Sequence, residues 1–401
     1  MTRPMREKSR RGDKNDSKTK YTPDKILLLF TIIMAIFGAI MIFDASVYKA
    51  NTEFGDPTHF LKYQVIWLFF GGLVSFLLYH YDYRKLCKLS YPIMILTIGL
   101  LVLVLAIGEE INNARRWFSL GPLGSIQPAE FAKLSVILYA ATWLSKNKYI
   151  AGMVQKEPDK AFIKAFISYF LLIGIVAVLV FIEPDLGTTI VIAAIAFLLF
   201  FVAKESKQHL IYMGRLFLAI IPVGFVAAFG SEYRRKRIAT YWNLMVTGEV
   251  PDARKTGYQM QQILIGIGSG GFFGTGFGQS RQRYGYLVEN TAFTDSIFAV
   301  ILEELGFIGG IILIGAWVLF FWRGLKVAKN APDKQGKLLA IGITIWLPLQ
   351  AFMNMAANIG LIPLTGIPLP LLTYGGSGTI VTLIGLAILL NISKYAKTDS
   401  R

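Results

Sequence analysis

The stretch ILLLFTIIMAIFGAIMIFDAS, residues 26–46, carries one charged residue, Asp44, over a length that crosses a lipid bilayer as a helix. Nine further apolar blocks of comparable length follow it, and each predicts another helix. These helices are predicted near residues 63–80, 90–108, 129–145, 163–182, 187–203, 208–229, 295–322, 337–359 and 378–393. The sequence therefore predicts an all-α polytopic membrane protein with about ten transmembrane helices.

The composition excludes the other broad classes of protein. Of 401 residues, 54% are hydrophobic and 16% are charged, whereas soluble domains carry roughly 25% charged residues. So few charges do not cover a water-exposed surface, and so many apolar residues exclude a disordered chain. The single cysteine, Cys87, excludes a disulfide framework, and three widely separated histidines exclude a local His-rich metal cluster.

The basic residues predict the orientation in the membrane. Of the 41 Lys and Arg residues, 27 fall in the segments on one side of the predicted helices, which is the side that holds both termini. Because cytoplasmic segments are enriched in Lys and Arg, both termini are predicted to be cytoplasmic. The expected organisation is a basic cytoplasmic tail (1–25), a domain in the cytoplasmic membrane (26–393) and a short cytoplasmic tail (394–401). Attraction to membrane lipids then accounts for most of the net charge of +16, and no nucleic-acid partner is predicted.

Residues 230–294 form a large loop, predicted to be external, between the seventh and eighth predicted helices. The loop nevertheless contains eight Lys and Arg residues. Long loops are translocated regardless of their charge, so the predicted topology stands. The cations are explained either by attraction to anionic lipid headgroups or by a polyanionic substrate such as a pyrophosphate.

The same loop contains a glycine-rich segment, GIGSGGFFGTGFG, residues 266–278. It matches the dinucleotide-binding pattern G-x-G-x-x-G, but no strand–helix–strand unit surrounds it, so this function is rejected. Glycines spaced four residues apart allow close approach of neighbouring backbones. We expect a re-entrant or broken segment that packs against the helices. Such backbone is tolerated in a membrane only against protein or a water-filled cavity, so a cavity is also expected.

Ionisable residues inside predicted membrane helices are candidate functional residues. Glu130 and Lys133 stand three residues apart at the start of the fourth predicted helix, so their side chains share a face and can pair. A purely structural ion pair is the alternative. Arg115, Arg116 and Trp117 precede them in a short loop and could form a cationic mouth with an aromatic rim.

Asp295 follows the basic, glycine-rich loop at the start of the eighth predicted helix. An Asp at this position commonly caps the helix N-terminus. The helix N-terminus also favours the ionised carboxylate, which is the form that a general base requires. Glu303 and Glu304 lie about 12–14 Å further along the helix; they are interpreted as structural carboxylates, with a proton relay as the alternative.

Two further polar patterns have structural explanations. Gln350, Asn354 and Asn358 recur every four residues, which predicts one polar stripe on the ninth predicted helix. Hydrogen bonds between helices would explain this stripe, and so would the lining of a cavity. The motif EPDLGTT, residues 183–189, is typical of a tight turn followed by a helix cap.

Six motifs resemble those of the shape, elongation, division and sporulation (SEDS) polymerases. They are ARRWFSLGPLGSIQPAEFAKL (114–134), EPDLGTT (183–189), YRRKRI (233–238), GYQMQQILIGIGSGGFFGTGFGQS (257–280), TDSIFAVILEELGFIGG (294–310) and GIPLPLLTYGGSG (366–378). They run in the family's order across nearly the whole chain. The loop sequence GTGFGQS is closer to the division and sporulation branch, which includes FtsW and SpoVE, than to RodA.

This resemblance implies a ten-helix peptidoglycan glycosyltransferase that polymerises lipid II at the outer face of the cytoplasmic membrane, for cell division or related wall synthesis. The family's catalytic aspartate falls on Asp295. The expected substrate-binding residues are Glu130, Lys133, Arg115, Arg237, Gln259 and Ser377. The implied partners are a class B penicillin-binding protein, which is a transpeptidase, and divisome-type membrane proteins. No metal ligand is assigned, and a divalent cation such as Mg²⁺ or Mn²⁺ is left open as a cofactor.

The chain departs from the family's pattern on the acceptor side of the expected site. Val288 replaces the family's Pro, Phe293 replaces its His, and TYWNLMVTGEV (240–250) replaces a PEPW-like segment. Two other functions remain open: a transporter that flips lipid II across the bilayer, and a non-catalytic scaffold for a transpeptidase.

Overall fold

The protein is described by a computed structural model that covers residues 23–111, 114–121, 124–150, 158–204, 206–230, 232–248, 256–284 and 291–396. Thirteen α-helices and a three-stranded sheet lie within these ranges. The helices are α1 (Lys25–Phe54), α2 (His59–His80), α3 (Tyr83–Lys88), α4 (Ser90–Ile107), α5 (Pro128–Lys146), α6 (Pro158–Ile182), α7 (Leu186–Val202), α8 (Lys207–Phe229), α9 (Glu232–Thr247), α10 (Thr256–Gly270), α11 (Ile297–Lys329), α12 (Lys334–Asn358) and α13 (Gly376–Lys394). The strands are β1 (Glu109–Ile111), β2 (Ala114–Ser119) and β3 (Ser125–Ile126).

Each of the ten predicted apolar blocks coincides with one of these helices. The short helix α3 and the two loop helices α9 and α10 were not predicted from the sequence. Over the described residues, seven helices are long and apolar enough to cross a membrane, and α7 is a shorter apolar helix. The chain is therefore a mostly helical, multi-pass membrane protein. The count of ten spans, the cytoplasmic termini and the external loop remain predictions.

The segment between α4 and α5 forms a small antiparallel sheet instead of the expected short loop. In the pairing of β1 with β2, Glu110 lies opposite Arg115. The turn before β3 is closed by the Leu120 amide, which donates to the carbonyl of Gly124 at 2.7 Å. Gly124 has a φ of 90°, a conformation that favours glycine. β3 then leads to Pro128, whose fixed φ suits the first residue of α5.

Helix α5 lies at the centre of the bundle and packs against α4, α7, α12 and α13. Within it only Lys146, the last residue, is exposed. Small side chains such as Ala132 and Ala140 allow neighbouring helices to approach closely. As a result, α5 carries the charged pair Glu130 and Lys133 into the protein interior.

Helix α11 is interrupted at Gly306, whose φ of 66° and ψ of −167° are not helical. The break releases the amides of Phe307 and Ile308 from the hydrogen bonds of a continuous helix. These amides donate instead to the carbonyls of Gly271 and Phe272, at 2.9 and 3.2 Å. Residues 271–276, which we call the inserted turn, therefore enter the break in α11.

The other side of the break is satisfied by the same turn. The carbonyls of Glu303 and Glu304, which Phe307 and Ile308 would otherwise use, accept from the amides of Thr275 and Gly276 at 2.9 and 3.1 Å. The glycine-rich segment is thus packed against the helices, as the sequence predicted. Its non-helical backbone is satisfied by contact with protein, so the cavity also expected there is not required by this segment.

The side chains beside the break hold the chain that follows the inserted turn. The Glu303 carboxylate accepts from the Ser280 hydroxyl at 2.6 Å, and Glu304 accepts from the Ser280 amide at 3.1 Å. A few residues further on, Arg283 pairs with Asp44 of α1 at 3.0 Å. Glu303 and Glu304 therefore have a structural role, tying the glycine-rich segment to α11.

Candidate functional site

Asp295 lies immediately before α11, beside the segment that joins α12 to α13. The helix begins at Ile297 with Ser296 in the N-cap position, so Asp295 is not the N-cap residue that the sequence suggested. Its half-buried carboxylate accepts a hydrogen bond from the Thr294 hydroxyl at 3.2 Å. Oδ2 faces Gly366, where an added Cβ would lie 3.9 Å away. The carboxylate therefore lies between a hydroxyl group and a glycine, Gly366, which has no side chain to cover it.

The segment that joins α12 to α13 is fastened to the backbone around Asp295. The Thr373 hydroxyl donates to the carbonyl of Thr294 at 3.1 Å, and the Tyr374 amide donates to that of Phe293 at 2.9 Å. The Phe293 ring packs against Phe60, with ring centroids 4.6 Å apart. Where the family has a His, this chain therefore has a buried aromatic residue that anchors the segment.

The polar stripe of α12 holds the backbone of Asp295 in place. The buried Asn354 amide donates both to the carbonyl of Asp295 at 2.7 Å and to that of Ile367 at 2.8 Å. One turn later, Asn358 donates to the same Asp295 carbonyl at 3.0 Å. These bonds run from α12 to the non-helical backbone beside it. The bond between helices that the sequence offered as one explanation of the stripe is made by its first member, Gln350, which accepts from Lys133 of α5 at 2.8 Å.

The first member of the stripe, Gln350, connects this region with the charged pair of α5. Its amide donates to the carbonyl of Pro368 at 3.0 Å, and its Oε1 accepts from Lys133 at 2.8 Å and from Trp346 at 2.9 Å. Lys133 also donates to Glu130 at 2.8 Å, and both side chains are at most 4% exposed. A continuous set of hydrogen bonds thus joins the buried ion pair to the segment beside Asp295.

Ser377 and Gln259 lie at two edges of this region. The Ser377 hydroxyl accepts from the backbone amide of Gln127 at 2.9 Å, and a Cβ added at the neighbouring Gly378 would lie 3.5 Å from the Glu130 carboxylate. Gln259, on α10, donates to the hydroxyl of Ser296 at 3.3 Å. Of the six predicted substrate-binding residues, Gln259 therefore contacts the residue that follows Asp295, and Glu130 and Lys133 are linked through Gln350 to the segment beside it. Ser377 contacts Gln127 instead, and the role of all four in substrate binding stays a prediction.

Of the two remaining predicted residues, both arginines, Arg115 makes none of these contacts. Arg115 is exposed on β2 and pairs with Glu110 at 3.4 Å. Arg237 lies on α9, and its side chain is outside the part of the chain that the structure describes, as is Val288. The neighbouring Arg116 donates to the carbonyls of Glu183 and Pro184, at 2.5 and 2.7 Å.

The EPDLGTT motif forms the expected turn and cap. Asp185 accepts from the Thr188 amide at 2.9 Å, at the N-terminus of α7. The neighbouring Glu183 carboxyl is fully buried, and its two oxygens have no hydrogen-bond partner among the described residues. Burial, together with the nearby Asp185 charge, raises the pKa of Glu183 to about 8. At pH 7 the Glu183 carboxyl is therefore protonated, and so neutral, in most molecules.

Gln127 connects two of the motifs, but the sequence did not identify it as a site residue. Its backbone binds Ser377, and its side-chain amide donates to Asp185 at 3.2 Å. The signal was available, because Gln127 directly precedes Pro128, which marks a helix start two residues before Glu130 of the charged pair. Gly366 was also missed, since nothing local indicates that it faces Asp295.

The half-buried carboxylate of Asp295, a chemical group that can accept a proton, lies beside a segment that is hydrogen-bonded to the buried pair Glu130 and Lys133 through Gln350. Among the described residues, no three His, Cys, Asp or Glu side chains converge to hold a metal ion.

Comparisons with known proteins identify the family of this chain. A family model described as "Cell cycle protein", covering FtsW, RodA and SpoVE, matches residues 24–398. Stage V sporulation protein E of Bacillus subtilis is 36% identical over 94% of this chain and 99% of its own length. The probable peptidoglycan glycosyltransferase FtsW of a Geobacter species (strain M18) is 35% identical over 92% of this chain and 96% of its own.

Solved structures show the same likeness. The crystal structure of the Thermus thermophilus rod shape determining protein RodA aligns with a TM-score of 0.63 and 28% identity, over 94% of this chain and 98% of that one. A chain from a peptidoglycan synthase complex that coordinates polymerization and crosslinking aligns with a TM-score of 0.72 and 29% identity, over 92% and 97% of the two chains. The chain belongs to the FtsW/RodA/SpoVE family of cell cycle proteins.

Proposed function

We propose that this protein is a peptidoglycan glycosyltransferase that polymerises lipid II at the outer face of the cytoplasmic membrane. The observation that carries the proposal is the half-buried Asp295 carboxylate, whose backbone is fixed by Asn354 and Asn358. The names of similar proteins, which include probable peptidoglycan glycosyltransferases, support the same activity.

The proposed reaction is a single displacement. Asp295 removes the proton from the 4-hydroxyl of the acceptor GlcNAc, and that oxygen attacks the anomeric carbon of the donor MurNAc. The bond from this carbon to the pyrophosphate breaks, undecaprenyl pyrophosphate leaves, and inversion gives a β-1,4 linkage. Since a pyrophosphate is a good leaving group without protonation, a second carboxyl that acts as an acid is not needed.

Negative charge develops on the pyrophosphate as it leaves, and fixed cations stabilise that charge. Lys133, Arg115 and Arg237 are the proposed cations. The Lys133 ammonium is 1% exposed, and its bonds to Glu130 and Gln350 use two of its three donors. To contact Lys133, the pyrophosphate would therefore have to reach this buried ammonium group and use its third donor. Lipid II polymerisation with added Mg²⁺ or Mn²⁺, compared with polymerisation without either ion, tests a divalent cation as cofactor.

Replacing both members of the buried pair separates a structural role from a catalytic one. Loss of Lys133 alone should cost about 3–5 kcal/mol of stability, because the Glu130 charge stays buried without its partner. We expect Glu130→Gln combined with Lys133→Met to fold near the wild-type level and to lose about 10²–10³-fold in turnover, as loss of a fixed charge donor does. Thermal unfolding and lipid II turnover of the same preparation measure both. Full activity of the folded double variant would remove Lys133 from the site.

The proposed partners are a class B penicillin-binding protein and divisome-type membrane proteins. One of the similar solved structures comes from a peptidoglycan synthase complex, which supports a transpeptidase partner. In the proposed orientation both termini are cytoplasmic, and residues 230–294 face outward, where a lipid-linked substrate would be polymerised.

Polymerisation of lipid II by the purified full-length protein tests the proposal. We expect glycan strands to form, either alone or after a class B penicillin-binding protein is added. A transporter would move lipid II across a vesicle bilayer without forming polymer, and a scaffold would do neither. Absence of polymer with and without the partner, from protein that is folded and binds lipid II, would contradict the proposal.

A further inference from the structure

A basic cavity lies at the end of the bundle that the charge pattern places in the cytoplasm, between the last turn of α5 and the first turns of α6. Its volume is about 620 Å³. Four lysines line it, Lys146, Lys148, Lys160 and Lys164. They come from two different chain segments, and all four are exposed. This concentration of ammonium groups around one cavity favours an anionic occupant.

The cavity continues into an apolar groove along α6. The groove has a volume of about 500 Å³ and shares Lys160 and Lys164 with the basic cavity. Its other walls are mainly aliphatic, with Ile163, Ile167 and Leu171 exposed along one face of the helix. A positively charged chamber that opens into a hydrophobic groove has the polarity of a phospholipid, with a headgroup at one end and acyl chains at the other.

Two aromatic residues contribute to the wall of the basic cavity. Tyr91 and the half-buried Trp143 line the basic cavity. Tyr and Trp are enriched at the level of lipid headgroups, because one end of the ring is apolar and the other is polar. Lysines on a membrane helix likewise keep their stems along apolar surface and their ammonium groups at the headgroup level.

The described carboxylate on the adjoining turn is already engaged. Asp159, the second residue of α6, accepts a hydrogen bond from the Tyr212 hydroxyl of α8. Across the 147–150 turn, Lys204 lies 3.8 Å from the centre of the Tyr149 ring and donates to its carbonyl at 3.0 Å. A hydrogen bond from a neutral hydroxyl adds no positive charge, so one carboxylate, Asp159, stands against the four lysines and Lys204, and the described charged groups around the cavity are net positive.

We propose that this cavity and groove bind one anionic phospholipid, with its phosphate among the four lysines and its acyl chains along Ile163, Ile167 and Leu171. The occupant is a lipid and not a soluble anion, because only a lipid has acyl chains that cover the apolar groove. A free phosphate among the lysines would leave that groove empty. The occupancy of such a site depends on the anionic lipid content of the membrane. The proposal is independent of the glycosyltransferase activity.

The test measures thermal unfolding of the purified full-length protein in detergent with added phosphatidylglycerol, because a ligand that binds the folded state raises its melting temperature. The variant Lys146→Gln/Lys148→Gln/Lys160→Gln/Lys164→Gln removes the charge of the site. The matched control, Lys85→Gln/Lys88→Gln/Lys326→Gln/Lys329→Gln, removes four exposed lysines elsewhere on the predicted cytoplasmic side. Each lysine near a lipid phosphate contributes about 5-fold in affinity, so two such contacts correspond to about 25-fold and all four to about 600-fold. We expect binding by the site variant to weaken within this range, and binding by the control to stay near the wild-type level.

Further arms identify the occupant. Phosphatidylcholine, inorganic phosphate and glycerol phosphate should stabilise the wild-type protein much less than phosphatidylglycerol does. Ile167→Gln, which leaves all four lysines in place, should also weaken phosphatidylglycerol binding and serves if the four-lysine variant does not fold. Equal stabilisation of site variant and wild type, equal loss in the control, or equal stabilisation by glycerol phosphate would each overturn the proposal.

Discussion

Asp295→Asn should abolish glycan formation while the protein stays folded and still binds lipid II. The amide is nearly the size of the carboxylate but does not act as a base at neutral pH. Loss of a general base typically costs about 10²–10⁴-fold. The fold should tolerate the change, because Asn354 and Asn358 bind the backbone carbonyl of residue 295 and not its side chain.

The structure sharpens this experiment, because Ser296 and not Asp295 occupies the N-cap of α11. A loss of activity in Asp295→Asn cannot then be attributed to a lost helix cap. Asp82→Asn is a matched control: Asp82 caps α3 by accepting from the Arg84 amide at 2.8 Å, and Asn caps equally well. We expect this control to be silent.

Asp295→Glu tests the same group from another direction. The longer side chain keeps the negative charge but moves the carboxylate by about an ångström, which can cost about 10²-fold. At most a small residual activity is therefore expected. Lipid II polymerisation, lipid II binding and thermal unfolding are measured on all variants together. Normal glycan synthesis by folded Asp295→Asn protein would remove the proposed mechanism and favour the transporter.

The sequence predicted the helices well because a bilayer-length apolar block is a strong local signal. The sheet before α5 and the helices α9 and α10 were missed because their segments are short or polar and carry no such signal. The spacing of Glu130 and Lys133 was enough to predict their pairing, since residues three apart share a helix face. The bond from Lys133 to Gln350 depends on how α12 packs against α5, and no local pattern contains that information.

Glycine patterns show the same limit in another form. Four-residue spacing correctly indicated close packing of the glycine-rich segment, but it gave no indication that α11 would be broken to receive it. The break depends on Gly306, whose added Cβ would lie 2.3 Å from the amide nitrogen of Gly274. Two glycines more than thirty residues apart therefore need each other, and only the folded structure identifies the pair.

Gly274→Ala should prevent the inserted turn from entering α11. A Cβ at this position would lie 2.0 Å from the carbonyl oxygen of Glu304, and the φ of 84° is unfavourable for any residue with a side chain. The obstacle is backbone, so no side chain can rotate away. We expect a loss of more than about 4 kcal/mol, the range of exceptional single substitutions, seen as aggregation on purification or a large drop in melting temperature.

Gly271→Ala separates the steric effect from the conformational one. Gly271 also has a positive φ, 53°, but nothing lies within 4 Å of an added Cβ. Its substitution should cost only about 1–2 kcal/mol, the usual penalty of the left-handed conformation. Since the inserted turn ties the loop before Asp295 to α11, Gly274→Ala should lose activity together with stability, whereas Gly271→Ala should keep most of both. Equal melting temperatures for the two variants would show that the close contact with Glu304 does not determine the fold here.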